Sequence, residues 1–319
     1  MITFINTGSP SVIGAFEERN ILYAFHDIDG THSLIRDWPP VMSIVLHYVS
    51  ENGVPDGYDN DEQVKKLVSL AGTKPLPETD SFCIESAGLS ALTQMEWAIR
   101  RAIDAGHIQV SCDKEENRRK IEMIRKGEEI FENPDSPELS EFLSIHTPRL
   151  FKFYEKVLNG FCRDKNLALA KKDPSRFIVS GSKEFLTLLH KNGVKNYFVT
   201  GAVVEKGMGM HEEVAALGFE IGSGKIVEDI IGSTWTEKIP KDQIMEKLLK
   251  TLGADGKNVL VIGDGRSEIS AGVKMNALCI SRLEKSDVYR RELHKKLGSH
   301  IVLESYLEED FLALIHCSD

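Results

Sequence analysis

The feature that most limits what this chain can fold into is the run Ile21-Leu22-Tyr23-Ala24-Phe25, which ends in Asp27-Ile28-Asp29-Gly30. Five unbroken apolar residues make too short a piece for a helix and the right length for a strand buried on both faces. Such strands belong to parallel sheets covered by helices on either side. Two more runs of this kind follow, Asn196–Val199 leading into Thr200-Gly201 and Asn258–Ile262 leading into Gly263-Asp264-Gly265. Ala277–Ile280 and His300–Leu303 are further strand candidates. Between them Lys183–Lys191 reads as a helix stopped by Asn192-Gly193, and Gln243–Leu252 as one stopped by Gly253. This alternation predicts an α/β fold with a doubly wound parallel (Rossmann-like) sheet core. Ahead of the first run, Ile2–Ile5 and Val12–Phe16, joined by Gly8-Ser9-Pro10, predict a hairpin added at a sheet edge.

Residues 35–175 have a different texture. Val41, Ile44, Val45, Tyr48 and Val49 keep helical spacing behind Pro40. Helical patterns recur at 61–71, 90–105, 114–131, 137–142 and 148–158, and no strand signal of comparable strength interrupts them. The chain therefore divides into a first core part at 1–34, an inserted all-helical cap domain at 35–175 and a second core part at 176–319. Neither a repeat nor a low-complexity segment marks any of these stretches.

Composition excludes several classes of function. Thirty-nine Lys and Arg against 49 Asp and Glu give a formal charge of −10 without a basic block, so nucleic acid is a poor partner. The longest apolar stretch, Val41–Val49, contains Ser43, His47 and Tyr48 and falls well short of a bilayer span. Glu17, Glu18 and Arg19 stand where the apolar part of a secretory signal would run. The five cysteines are odd in number and lack a CxxC pair, as expected of a cytoplasmic protein without disulfides or a zinc site.

In a doubly wound sheet, ligands sit beyond the carboxyl ends of the strands. Those ends hold Asp27 and Asp29, Thr200 and Gly201, and Asp264. Two unit charges about 4 Å apart repel by roughly 4 kcal/mol at an effective dielectric near 20, so carboxylates converging there need a cation. Oxygen donors favour Mg²⁺. Asp27 and Asp29 are two residues apart, which in an extended chain puts both side chains on one face. A carboxylate nucleophile beside a carboxyl group that trades protons suits phosphoryl transfer through an aspartyl-phosphate. A hydroxyl and an amide, from Thr200 and Gly201, and a lysine, Lys238, would hold the phosphate oxygens. Lys241 competes with Lys238 for that place.

With these residues in order, the sequence resembles the haloacid dehalogenase superfamily of phosphohydrolases. Asp27-Ile28-Asp29-Gly30-Thr31 resembles the first motif, DxDGT; Thr200 resembles the second, Lys238 the third, and Gly263-Asp264-Gly265-Arg266-Ser267-Glu268 the fourth, GDxxxD with glutamate in the last place. The resemblance implies that Asp27 is nucleophile and metal ligand, and that Asp29 is the general acid/base whose main-chain carbonyl also faces Mg²⁺. It further makes Asp264 a ligand and Glu268 a residue of the metal shell acting through water. It covers about residues 18–34 and 176–305. A helical insertion between the first two motifs is where this family carries a cap that closes over the active site. His32 in place of an apolar residue, Ile239 where proline often follows the lysine, Glu268 for aspartate and the length of the chain depart from the usual pattern.

The expected activity is Mg²⁺-dependent hydrolysis of a small-molecule phosphomonoester, with no nucleic-acid or membrane partner. Transfer within a sugar phosphate by a phosphomutase, or phosphate binding by a non-catalytic regulatory protein, are the alternatives. Outside the motifs the plainer expectations are structural. His26 is expected to be packed or hydrogen-bonded near its strand end. Arg36, Arg100, Arg101 and Arg149 are expected to be solvated or ion-paired, and Phe151, Phe153 and Tyr154 to be helix core.

Overall fold

The computed structural model describes residues 1–128, 133–235 and 239–317. The chain folds into two units: one of Met1–Ile35, Leu167–Thr234 and Ile239–Asp319, the other of Arg36–Asn166 and Trp235–Lys238.

The first unit carries nine strands among the described residues: β1 (Ile2–Phe4), β2 (Arg19–Ile21), β3 (Tyr23–His26), β4 (Lys195–Val203), β5 (Asp229–Ser233), β6 (Val259–Gly263), β7 (Leu278–Arg282), β8 (Ile301–Leu303) and β9 (Ile315–Cys317). Six of them form a parallel sheet in the order β5-β4-β3-β6-β7-β8, with β3 near its centre. Side chains leave alternate faces of this sheet into two cores. Ala24, Phe198, Leu260 and Leu278 enter one, with Phe185 and Leu189. Phe25, Val199, Val261 and Cys279 enter the other, with Ile244, Leu248 and Ile269. Burial on both faces is why these strands read as unbroken apolar runs, and the core is the α/β doubly wound fold the alternation predicts.

Several local expectations are corrected. The apolar run at 21–25 serves two sheets: Ile21 closes β2, Leu22 is exposed, and β3 begins at Tyr23. β1 does not form a hairpin with Val12–Phe16. It lies between β2 and β9 in a separate antiparallel sheet, where Ile2 and Phe4 extend the first of the two cores. The segment around Val12 does lie along the edge of the large sheet: Ile13 N–H donates to His300 O, Val302 N–H donates to Ser11 O, and Val12 bridges Ile301. These bonds occupy backbone groups that an open edge strand would leave free. β5 passed unrecognised because Gly232 and its polar flanks break the apolar pattern.

The second unit is helical. Its elements are α1 (Pro39–Asn52), α2 (Asp61–Leu70), α3 (Pro77–Glu85), α4 (Ala91–Asp104), α5 (Lys114–Arg125) and α6 (Pro137–Leu158). Asn60, Ser90 and Asp113 cap α2, α4 and α5 by accepting backbone N–H groups. The expected break at Pro148 does not occur, and α6 runs through it. Buried Leu143, Thr147, Leu150 and Phe151 on both sides of the proline keep the helix in one piece against the loss of one backbone bond. Residues 129–131, the end of the helix expected from 114, lie outside the described residues. Arg100 is buried on Glu96 and Asp135, Arg36 pairs with Glu155 and Arg101 with Glu78, while Phe151, Phe153 and Tyr154 are core.

The helix α7 (Asp164–Ala170) joins the units, and the first unit completes its layers with α8 (Ser182–Lys191), α9 (Met210–Ala216), α10 (Lys241–Leu252), α11 (Arg266–Lys274), α12 (Val288–Leu297) and α13 (Glu309–Leu312). No helix among the described residues is long and apolar enough to cross a membrane. No disulfide forms among the described residues.

Candidate active site

β3 and β6 end within one residue of each other while β4 runs on beyond them: His26 stands opposite Phe198 on one side and Ile262 on the other. The residue after His26 is Asp27, whose N–H donates to Ile262 O at 2.8 Å. Beyond Asp27 the chain stops being extended. The N–H groups of Thr31, His32 and Ser33 all turn onto Ile28 O, and Gly30 adopts φ +78°. Asp27 and Asp29 thus occupy a wound loop instead of one face of a strand, and Asp29 is half-buried within it.

Gly30 is required there twice over. Its positive φ disfavours any residue with a side chain, and a Cβ would lie 2.5 Å from Asp264 Oδ2. That close approach brings the first strand's loop against the loop after β6. Gly263 acts similarly, since a Cβ there would meet Glu268 Cγ at 2.1 Å. Glu268 folds back over this glycine to accept from Gly265 N–H at 2.6 Å and from Ser267 Oγ at 2.9 Å, closing the first turn of α11.

The result is a buried acidic cluster. Asp27, Asp264 and Glu268 each offer a carboxylate oxygen within 4.8 Å of the others. Among the described residues, two cations face it. Lys241 Nζ, at the start of α10, donates to Asp27 Oδ1 at 2.7 Å and to Glu268 Oε2 at 3.2 Å. Arg290, on α12, donates to Asp264 Oδ2 at 2.8 Å and also to the Asp264 carbonyl. Among the described residues the site gathers three carboxylates, hard oxygen donors that suit a divalent cation such as Mg²⁺.

The electrostatics follow from burial. Desolvation pushes the Asp27 carboxyl above its usual range, Lys241 opposes that rise, and Glu268 and Asp264 add to it. Glu268 is also desolvated, but Lys241 and the N–H groups of its own helix turn outweigh burial and hold it below the ordinary value. Burial works against the charge on Lys241, and the two carboxylates overcome it, so its affinity for the proton rises.

Thr200 and Gly201 lie inside β4, not after its end. The ladder with β5 is nevertheless irregular between Val199 and Val203, and there the Thr200 hydroxyl accepts from Ala202 N–H at 3.1 Å. A Cβ on Gly232 would strike Ala202 O at 2.5 Å, so the neighbouring strand leaves room for this distortion. Lys238 lies outside the described residues. Among the described residues a lysine does reach the cluster, Lys241, and α10 begins there rather than at Gln243 as its apolar spacing suggested.

Two arginines at this edge escaped sequence reasoning. Arg282 ends β7 and donates to Gly30 O at 3.2 Å and Glu304 O at 3.1 Å, tying down the glycine loop. The strand-end rule reaches it once β7 is extended to Arg282. Arg290 carries no such signal, since its pairing with Asp264 exists only in the folded chain.

A family model described as haloacid dehalogenase-like hydrolase matches residues 98–276, more than half of the chain. The chain belongs to the haloacid dehalogenase-like hydrolases. The matched span contains Thr200, Lys241, Asp264 and Glu268 and starts after the Asp27 loop. No curated protein matches the sequence. Among solved structures, it is similar to a predicted phosphatase from Clostridium acetobutylicum at 13% identity, with 92% of this chain and 99% of that one covered and a TM-score of 0.48. It is likewise similar to a β-phosphoglucomutase from Clostridium difficile (15% identity, 92% and 96% covered, TM-score 0.45). A hydrolase from Pseudomonas syringae is similar at 17% identity, with 92% and 96% covered and a TM-score of 0.45.

Proposed function

We propose that this haloacid dehalogenase-like hydrolase is a divalent-cation-dependent phosphatase acting on a small phosphomonoester through an aspartyl-phosphate at Asp27. The observation that carries the proposal is the convergence of Asp27, Asp264, Glu268 and Lys241 at the carboxyl edge of the sheet. Asp27, Asp264 and Glu268 would hold the metal, with the main-chain carbonyl of Asp29, and Mg²⁺ bound there would supply positive charge to an anionic phosphate and an anionic nucleophile.

Each remaining role falls to a residue of the chain. An Asp27 carboxylate oxygen attacks phosphorus, and the ester oxygen departs with the proton of the Asp29 carboxyl. The Asp29 carboxylate so formed takes a proton from water, the water oxygen attacks phosphorus, and inorganic phosphate leaves with Asp27 regenerated. Lys241 keeps the nucleophile oriented and offsets charge gathering on the phosphoryl oxygens, which Thr200 and the Gly201 amide also receive. The helical unit, as the family's cap, would select the alcohol part of the substrate and keep out bulk water.

The test is phosphate release from p-nitrophenyl phosphate and a panel of phosphomonoesters, with Mg²⁺ and with chelator. Metal-dependent release that disappears in Asp27→Asn supports the proposal. Full activity in that variant, or release indifferent to chelator, contradicts it. Phosphoryl return to a substrate hydroxyl in place of free phosphate would make the enzyme a mutase.

A further inference from the structure

Behind the Asp27 loop lies a buried chain of polar side chains that the proposed chemistry does not use. His26, His32, Ser182 and Asn196 are all fully buried. His26 Nε2 is 3.2 Å from Asn196 Oδ1, His26 Nδ1 is 3.0 Å from His32 Nε2, and His32 Nδ1 is 2.6 Å from Ser182 Oγ.

The direction of every bond can be deduced from one end. Asn196 Nδ2 faces two main-chain carbonyls, Leu186 O and Ile226 O, at 3.3 and 2.9 Å. Carbonyls only accept, so the amide nitrogen is on that side and Oδ1 faces His26. His26 Nε2 must then carry the hydrogen, and in a neutral ring its Nδ1 accepts. His32 Nε2 is therefore the donor to His26, which leaves His32 Nδ1 to accept from the Ser182 hydroxyl. Donation runs one way, from Ser182 through His32 and His26 to Asn196, and both rings are neutral Nε2–H tautomers. Burial favours the same state, lowering the proton affinity of His26 to a pKa of about 4 and that of His32 well below the ordinary value.

The relay is attached to the catalytic loop at two points. His26 immediately precedes Asp27, and His32 follows Thr31 at the end of the turn that carries Asp29. Tyr306 holds the same turn from the other side: its ring stacks on His32 with centroids 5.1 Å apart, and its hydroxyl donates to Thr31 O at 3.1 Å. An apolar residue at 32 could fill the space but would leave the His26 acceptor and the Ser182 donor buried without partners.

We propose that His32 is a positioning residue, which, through the one-way chain Ser182–His32–His26–Asn196, fixes the turn bearing Asp27 and Asp29 in its reactive geometry. The role rests on the phosphatase reading, and the two can fail separately.

Long-range ¹H–¹⁵N correlation on the full-length protein with labelled histidine reads the relay without any turnover. Neutral Nε2–H tautomers at both His26 and His32 at neutral pH are expected, whereas an Nδ1–H tautomer or an imidazolium at either ring overturns the relay. Kinetics on p-nitrophenyl phosphate read the positioning. A folded His32→Leu should lose about tenfold in kcat with KM unchanged, as for a small displacement of reacting groups, and His32→Gln should recover part of it. Should His32→Leu fail to fold, Ser182→Ala removes the first donor alone and should lower kcat at constant KM. Wild-type kcat in a folded His32→Leu or in Ser182→Ala overturns the positioning role while the phosphatase stands. A wild type that releases no phosphate overturns the phosphatase reading and with it the role assigned to His32.

Discussion

Lys241 Nζ stands 2.7 Å from Asp27 Oδ1 and 3.2 Å from Glu268 Oε2, bridging residues that are far apart in sequence and both buried. Truncating the lysine, as in Lys241→Met, strands two buried carboxylates. The expected cost is roughly 3–5 kcal/mol of stability without metal. Urea denaturation with and without Mg²⁺ measures it, and the variant should recover more stability from the metal than wild type does. An unchanged midpoint without metal would show that the pair is not coupled to folding.

Arg290 competes with any cation for Asp264. Arg290→Gln removes one of the positive charges facing the cluster, so Mg²⁺ should bind more tightly, by roughly two- to fivefold given partial screening at this partly exposed pair. Calorimetric titration with Mg²⁺ checks this directly. Weaker binding in the variant would mean that Arg290 organises Asp264 for the metal instead of opposing it.

Gly30→Ala should be damaging out of proportion to its size. The left-handed backbone alone costs a side chain about 1–2 kcal/mol, and the added Cβ would also press on Asp264 Oδ2 at 2.5 Å. Thermal unfolding and kcat should both fall. Retention of kcat with only the stability loss would separate the backbone effect from contact with Asp264.

His294 is buried on α12 against Ser281 Oγ at 2.8 Å, and desolvation lowers its pKa to about 4. The unfolded chain binds this proton near the ordinary histidine value and the folded chain does not. Its contribution is therefore complete above about pH 6.5 and is lost as the pH falls towards 4, on the order of 3 kcal/mol in all. Urea midpoints from pH 7.5 to 4.5 should decline more steeply for wild type than for His294→Gln. Parallel curves would assign the acid sensitivity to other groups.

The parts legible in sequence are those where one local signal suffices. Strands buried on both faces show as apolar runs, so β3, β4, β6, β7 and β8 were found, and Asp27 and Asp264 were found by following those runs to their ends. β5 was missed because Gly232, needed beside the distorted part of β4, erases the pattern that would have marked it. The lysine reaching the cluster depends on where α10 starts, and Lys241 precedes the first residue of its apolar stripe. Arg290 and the pairing of His26 with His32 depend on tertiary contact, which no spacing along the chain encodes. His32 was visible only as a departure from the apolar residue usual at that place.

The central claim is that Asp27 carries the phosphoryl group. Acid-quenching the enzyme during turnover of a phosphomonoester with Mg²⁺, followed by peptide mass spectrometry, tests it most directly. A phosphoryl adduct on the peptide containing Asp27, absent in Asp27→Asn and absent with chelator, is the predicted result. Turnover with phosphate on another residue, or undiminished turnover in Asp27→Asn, would contradict it.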